Sequence, residues 1–249
     1  MQVTVNKSFF SRFTATLLVS SLLSLAACAG NGGSDTASLP DDTTEEQIVD
    51  NPGANATIPR DASESLSDSQ REGILQKYNY VDPTRMVRTD ALAKALVYFD
   101  ANKNNFRNQD YVSVIDFAKH SSEPRFYIIS MKTGAVWAIR VAHGKGSDAN
   151  HDGYAEKFSN TSGAHASSLG YYRTAETYQG GHGLSLRLDG LSSTNSKARS
   201  RAVVIHGANY VQDTNVKQGR SWGCPAVSMQ NLKNVIGYIK GGSLIYAVK

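Results

Sequence analysis

The chain has 249 residues, with 26 Lys plus Arg against 22 Asp plus Glu and a formal net charge of +4. Beyond its first 27 residues, no apolar run approaches the roughly 20 residues of a membrane-spanning helix, which excludes a protein with further transmembrane helices. There are two cysteines, Cys28 and Cys224, and the segment around Cys28 leaves Cys224 as the single free thiol expected in the mature protein.

In chain order, Lys7 and Arg12 precede an apolar, hydroxyl-rich stretch, Thr14 to Leu25, which is too short to span a bilayer. It ends in Leu25-Ala26-Ala27-Cys28, which resembles the lipobox of bacterial lipoproteins. There, cleavage precedes the cysteine and the thiol is acylated. The resemblance implies that residues 1–27 are a lipoprotein signal peptide and that Cys28 is lipidated. Ala29, rather than aspartate, follows Cys28. That implies an exported lipoprotein held at the outer membrane through its acyl anchor and facing the periplasm.

Residues 28–72 are rich in Ser, Thr, Asp, Gly, Ala and Pro, and poor in large apolar side chains. Such a segment cannot bury enough surface to offset its ordering entropy. It reads as a disordered acidic tether with a reach on the order of 35 Å. Charge is segregated: residues 28–72 carry ten acidic residues and two arginines, a net of −8. Residues 73–249 carry 22 basic and 12 acidic residues, a net of +10. A basic domain calls for an anionic partner. For an exported chain, nucleic acid is set aside in favour of carboxylate-bearing cell-wall peptides.

The remaining 177 residues suit one domain with its own core. Asp82-Pro83 reads as a helix N-cap with proline at the first helical position. Met86, Leu92, Ala95, Leu96 and Phe99 follow at roughly helical spacing. Residues 73–110 are therefore expected to form a helical segment. Tyr111 to Phe117 alternates as a strand, and Arg125–Met131 with Ala135–Val141 flank the turn Lys132-Thr133-Gly134. Arg201 to Ile205 reads as a buried strand delivering His206 at its end. Ser228 caps a helix with Met229, Leu232, Val235, Ile236 and Ile239 on one face and Gly241 as its stop. Ser243 to Val248 is a last strand. The expected class is mostly β with flanking helices, α+β.

The run Gly219-Arg220-Ser221-Trp222-Gly223-Cys224-Pro225 follows Ile205-His206-Gly207. A lone thiol with a histidine upstream is a candidate nucleophile, and it needs a base within hydrogen-bond reach and a group that orients the base. Gly223 allows close backbone approach, and Pro225 stiffens the chain after the thiol. Backbone amides of Gly223 and Cys224 are placed to face an oxyanion.

His206-Gly207 with Ser221-Trp222-Gly223-Cys224 resembles the signature of the YkuD-type L,D-transpeptidases of peptidoglycan, in the Ser-Trp-Gly-Cys-Pro variant. Val141-Ala142-His143-Gly144-Lys145-Gly146 is similar to the strand-end glycine motif of that fold, and Ser167 to Tyr172 sits where many members carry Thr-Pro-x-Gly-x-Phe. The resemblance covers about residues 111–249. It implies a β-sandwich or barrel preceded by the helical segment, with no metal or cofactor. It implies Cys224 as nucleophile, His206 as base and the Gly207 carbonyl as its orienting group. Amides of Trp222, Gly223 and Cys224 would form the oxyanion hole. Ser221, Arg220, His143, Ser168 and Tyr210 are the expected substrate contacts.

The implied partners are peptidoglycan stem peptides: a thioester forms on a tetrapeptide, D-Ala leaves, and a stem amine or an amine-bearing acceptor protein resolves it. Water as acceptor would make the chain an L,D-carboxypeptidase, and a domain without turnover would be a wall-binding lipoprotein. Trp222 replaces the family's usual histidine, and Ala226 stands where many members have arginine or asparagine, so Arg220 or Arg187 is expected to supply the missing charge. Asp148 to Gly153 matches half of a calcium loop, but Ser159 stands at the twelfth position where an EF-hand needs glutamate. His143, His151, His165 and His182 show no tight zinc spacing.

Overall fold

The computed structural model describes residues 39–41 and 52–249. Residues 1–38, with the signal segment and Cys28, and residues 42–51 of the expected tether lie outside the described residues. A 3₁₀ turn at Ala62–Ser65 leads into α1 (Asp68–Lys77) and α2 (Thr89–Ala101). Three strands follow, β1 (Tyr111–Asp116), β2 (Phe126–Ser130) and β3 (Val136–Ile139). A long hairpin comes next, β4 (Gly170–Gly180) and β5 (Gly183–Gly190), then β6 (Val204–Ala208) and β7 (Ala226–Ser228). The chain closes with α3 (Met229–Ile239) and β8 (Leu244–Val248). Among the described residues the fold is mostly β with three α-helices, the class expected from the sequence.

The eight strands form one sheet in the order β3-β2-β1-β8-β4-β5-β6-β7. Its β1–β8 and β6–β7 pairs are parallel, and the others are antiparallel. Beyond β3, Ala142 bridges Ala226 and Gly144 bridges Ser221. The chain leaving one edge strand thus meets the opposite edge, which gives a barrel-like closure.

Side chains alternate across a strand with period two, and here both faces are buried. Val112, Val114, Ile129, Leu244 and Tyr246 face a core shared with Leu96, Tyr98 and Phe99 of α2. Ile115, Phe126, Ile128, Ile245 and Ala247 face the other core, covered by Leu232, Val235, Ile236 and Ile239 of α3. Those four α3 residues recur at the three- and four-residue spacing of one helix face. Ser228 caps α3 by accepting the Asn231 N–H at 3.3 Å.

Four local expectations are corrected. Asp82 does not cap a helix: at φ 53° its carboxylate accepts the Met86 and Val87 amides at 2.9 and 2.8 Å. That closes a turn and delays α2 to Thr89. The boundary expected at residue 72 falls inside α1, which Ser67 and Gln70 hold with a reciprocal capping box. Residues 201–203 are a turn, so His206 sits inside β6 rather than at its end. Strands β4, β5 and β7 were not anticipated from the sequence.

Candidate active site

His206 lies in β6, between β5 and β7, and is buried. Its Nδ1 donates to the Gly207 carbonyl at 3.1 Å. A carbonyl only accepts, so the proton sits on Nδ1 and Nε2 is the basic nitrogen. The His182 ring stacks on the His206 ring, with centroids 4.1 Å apart. At Gly207, α3 presses onto the strand: a Cβ there would lie 2.6 Å from Met229 Sδ.

The turn from Ser221 to Cys224 is braced from within. Ser221 donates its N–H to the His143 carbonyl at 2.9 Å, and its own carbonyl accepts the Lys145 N–H at 2.7 Å. Its hydroxyl donates to the Cys224 carbonyl at 2.6 Å and accepts the Gly223 N–H at 3.1 Å. Gly223 is at φ 122°, and a Cβ there would lie 2.8 Å from the Ala166 carbonyl oxygen. Both facts require glycine. The Gly223 amide, expected to face an oxyanion, is thus held by Ser221.

The parallel register pairs His206 with Ala226, two residues after Cys224. Residue 224 itself lies in the turn that precedes β7. The Cys224 thiol is 6% exposed and donates to the Ala202 carbonyl at 3.6 Å. It opens into a cavity of about 350 Å³, whose walls include His165, Arg201, Ala202, Val203 and Trp222. The Trp222 indole stacks on His165 at 4.6 Å with 10° between planes, and the Lys145 ammonium lies 5.0 Å from the indole ring. Trp222 Nε1 is buried without a hydrogen-bond partner among the described residues.

Arg201 binds the Ser159 and Ala166 carbonyls at 2.7 Å each, and burial lowers its pKa. His165 and Ala202 occupy the left-handed region at φ 49° and 52°. Such strain in non-glycine residues persists only where the surroundings hold it, and it concentrates at functional sites.

Of the expected substrate contacts, none lines this cavity. Ser221 is buried as the brace described above. His143 is buried between Arg125, whose Nη2 donates to Nδ1 at 2.8 Å, and Asp148, which accepts from Nε2 at 3.1 Å. Burial holds its pKa down, at about 4, so the ring is neutral. Ser168 is buried with its hydroxyl 2.7 Å from the Tyr172 hydroxyl. Tyr210 packs with Ala142, Ala208 and Ala226. Arg220 pairs with Asp41, and Arg187 with Glu176.

Sequence reasoning missed Arg201, Lys145 and Ala202, whose positions relative to Cys224 depend on the 198–203 and 144–147 turns. It noted His165 and His182 only as metal ligands, whereas both lie on rings of the site. The Asp148 carboxylate accepts from His143 and from the Asp152 and Gly153 amides at 3.0 and 2.9 Å. Burial raises its pKa, but these bonds outweigh burial and hold it at about 2. Its oxygens therefore turn inward rather than toward a calcium ion. Among the described residues, no group of three or more His, Cys, Asp or Glu is placed to hold a metal ion.

A larger cavity, about 930 Å³, is lined by Arg173, Glu176, Asp189 and Arg199, among others. Arg199 binds Glu176 and Asp189, and Arg173 binds Asp189. It holds an ion-pair network, and neither Cys224 nor His206 lines it.

Solved structures similar to this chain include an L,D-transpeptidase 1 of Mycobacterium tuberculosis, at 13% identity and TM-score 0.32, covering 56% of this chain and 62% of that one. An L,D-transpeptidase from Xylanimonas cellulosilytica matches at 17% identity and TM-score 0.32, covering 55% and 60%. A mutant of the helical cell shape determining protein Pgp2 from Campylobacter jejuni matches at 13% identity and TM-score 0.38, covering 77% and 57%. The chain thus matches less than two thirds of each of these relatives' length. No curated protein sequence matches it. The family model of the L,D-transpeptidase catalytic domain matches residues 83–248. That is more than half of the chain, which therefore belongs to the L,D-transpeptidase catalytic-domain family.

Proposed function

We propose that this protein is a peptidoglycan L,D-transpeptidase that works through a thioester on Cys224. The observation that carries the reading is the Nδ1 bond of His206 to the Gly207 carbonyl, 3.1 Å, which fixes the tautomer with Nε2 as base. Sγ gives its proton to Nε2 and attacks the carbonyl between the third and fourth residues of a tetrapeptide stem. The amide C–N bond breaks, and D-Ala leaves with the proton from Nε2. An amine from a second stem, or from an acceptor protein, then attacks the thioester. Nε2 takes the amine's proton and returns it to the sulfur as the C–S bond breaks.

Amides of Trp222 and Cys224 face the oxyanion in this scheme, since Ser221 holds the Gly223 amide. The unpartnered Trp222 Nε1 is a donor for a substrate carbonyl. The test is mass spectrometry of products from purified tetrapeptide muropeptides, beside a Cys224→Ser control. Crosslinked dimers that vanish in the control support a transpeptidase forming 3-3 crosslinks. Tripeptides plus free D-Ala would replace the reading with an L,D-carboxypeptidase. A folded protein that leaves the muropeptides untouched would replace it with a wall-binding role.

We further propose that Cys28 carries the lipid that anchors the chain to the outer membrane on its periplasmic side. The Leu25-Ala26-Ala27-Cys28 sequence supports this. Radiolabelled fatty acid should be incorporated by the wild-type protein and lost in Cys28→Ser; label retained in the variant would refute the anchor.

A further inference from the structure

Residues 39–41 are held against the transpeptidase domain by contacts of several kinds. The Leu39 N–H donates to the Lys217 carbonyl at 3.1 Å. The Leu39 side chain packs against a small core containing Ala142, Ala208, Tyr210 and Val211. The Pro40 carbonyl lies over Gly219, where any Cβ would collide with it. The Asp41 carboxylate accepts from Arg220 Nη2 at 2.7 Å, from Arg220 Nε at 3.1 Å and from the Arg220 backbone N–H at 3.1 Å. His151 Nε2 stands 3.7 Å from the same carboxylate.

The receiving surface is built rather than incidental. Arg220 is mostly buried, and its Nη1 donates to the Asp148 carbonyl, so the guanidinium is fixed from behind. Two side-chain nitrogens plus a backbone amide on one carboxylate is a charge-assisted geometry that selects both charge and direction. Gly219 supplies the clearance for the peptide backbone, and the Tyr210 region supplies the apolar floor. The long-range charge agrees: the segment belongs to the stretch of net −8 and the surface to the domain of net +10.

We propose that Lys217 to Arg220, with Tyr210 and His151, form a receptor for an acidic peptide, and that Leu39–Asp41 is its resident occupant. The receptor reads an apolar side chain, an extended backbone and a carboxylate two residues later. It is separate from the thiol cavity, whose walls include none of these residues. It adjoins the catalytic turn all the same. Arg220 directly precedes Ser221, whose hydroxyl and backbone brace Cys224 and Gly223. Occupation of the receptor therefore holds the backbone that enters that turn.

The test is hydrogen exchange read by mass spectrometry on the full chain. In Asp41→Ala, the Leu39 and Arg220 amides should exchange at least tenfold faster than in the wild type, while β1 and β8 stay unchanged. Asp41→Arg and Arg220→Asp should each lose the protection, and their combination should regain it at the Leu39 amide, whose acceptor is the Lys217 carbonyl, but not at the residue 220 amide, since a guanidinium accepts nothing. An acetylated synthetic peptide of residues 36–43, added to Asp41→Ala, should restore protection at Arg220, whereas the same peptide with asparagine at position 41 should not. Wild-type exchange in Asp41→Ala, or equal protection by both peptides, would overturn the proposal. These readouts do not involve turnover, so they stand apart from the transpeptidase test.

Discussion

The two ends of the sheet are built on different principles. Toward α2, strands β1, β2 and β8 alternate regularly, and their side chains meet a layer of rings. Tyr98 stacks on Tyr171 at 3.6 Å, Tyr171 on Tyr246 at 4.6 Å, and Phe99 lies 5.9 Å from Phe106. Toward β6 and β7 the chain is short-stranded and turn-rich, and bound by polar contacts. Ser221 braces the turn, His206 is fixed by its own neighbour's carbonyl, and two non-glycine residues hold left-handed backbone. One end supplies apolar burial and the other a polar frame around a thiol, while left-handed non-glycine backbone occurs at both, at Asp82 and Arg85 before α2 as at His165 and Ala202. If this division holds, damage at the two ends should look different.

The largest effect is expected at His206. His206→Gln keeps a donor and an acceptor near the Gly207 carbonyl but removes the base. Turnover should fall about a thousandfold, within the general acid–base range. The melting temperature should move by only a few degrees. A loss of folding rather than of rate would show that His206 belongs to the packing end. Next comes Phe99→Ala in the ring layer, where a fully buried ring is removed. Denaturant titration should show a loss of about 3–5 kcal/mol. Turnover per folded molecule should be unchanged, because the ring touches nothing at the thiol cavity. A matching fall in turnover would mean that the two ends are mechanically coupled.

The same division decides what the sequence reveals. Helix α3 is legible because Leu232, Val235, Ile236 and Ile239 repeat on one face and Ser228 caps it. Strand β1 is legible from its alternation, and β2 and β3 from the apolar runs that flank the Lys132-Thr133-Gly134 turn. The β4–β5 hairpin is not, since β4 carries Arg173, Thr174, Glu176 and Gln179, and a register shift between Thr174 and Thr177 breaks the period of two. Helix α1 has almost no apolar face, and only the Ser67–Gln70 capping box announces it. At the site, Cys224 and His206 stand out because chemistry needs those residue types. The expected substrate contacts came with the family resemblance and lie in or near its motifs. Burial then claims His143, Ser168 and Tyr210 for the interior, while Arg201 and Lys145 arrive from distant turns that no spacing rule encodes.

The smallest effect tests the polar support behind the turn. His143 accepts from Arg125 and donates to Asp148, so it must stay neutral. Burial holds its pKa at about 4, against about 6.5 in the unfolded chain. Between those values the unfolded chain binds a proton that the folded one refuses, so stability is full above about pH 6.5 and declines as pH falls toward 4. From pH 7 to pH 5 the decline should be about 2 kcal/mol. Asp148 and Glu176, both held at about 2, lose their contribution as pH falls from the usual carboxylate values of about 4 toward 2, largely below that interval. His143→Gln offers an acceptor to Arg125 and a donor to Asp148 without titrating. Denaturant titrations at pH 7, 6 and 5 should therefore show a flatter profile in the variant than in the wild type. Parallel profiles would place the acid sensitivity elsewhere, with His165 the next group to examine, since burial lowers its pKa too.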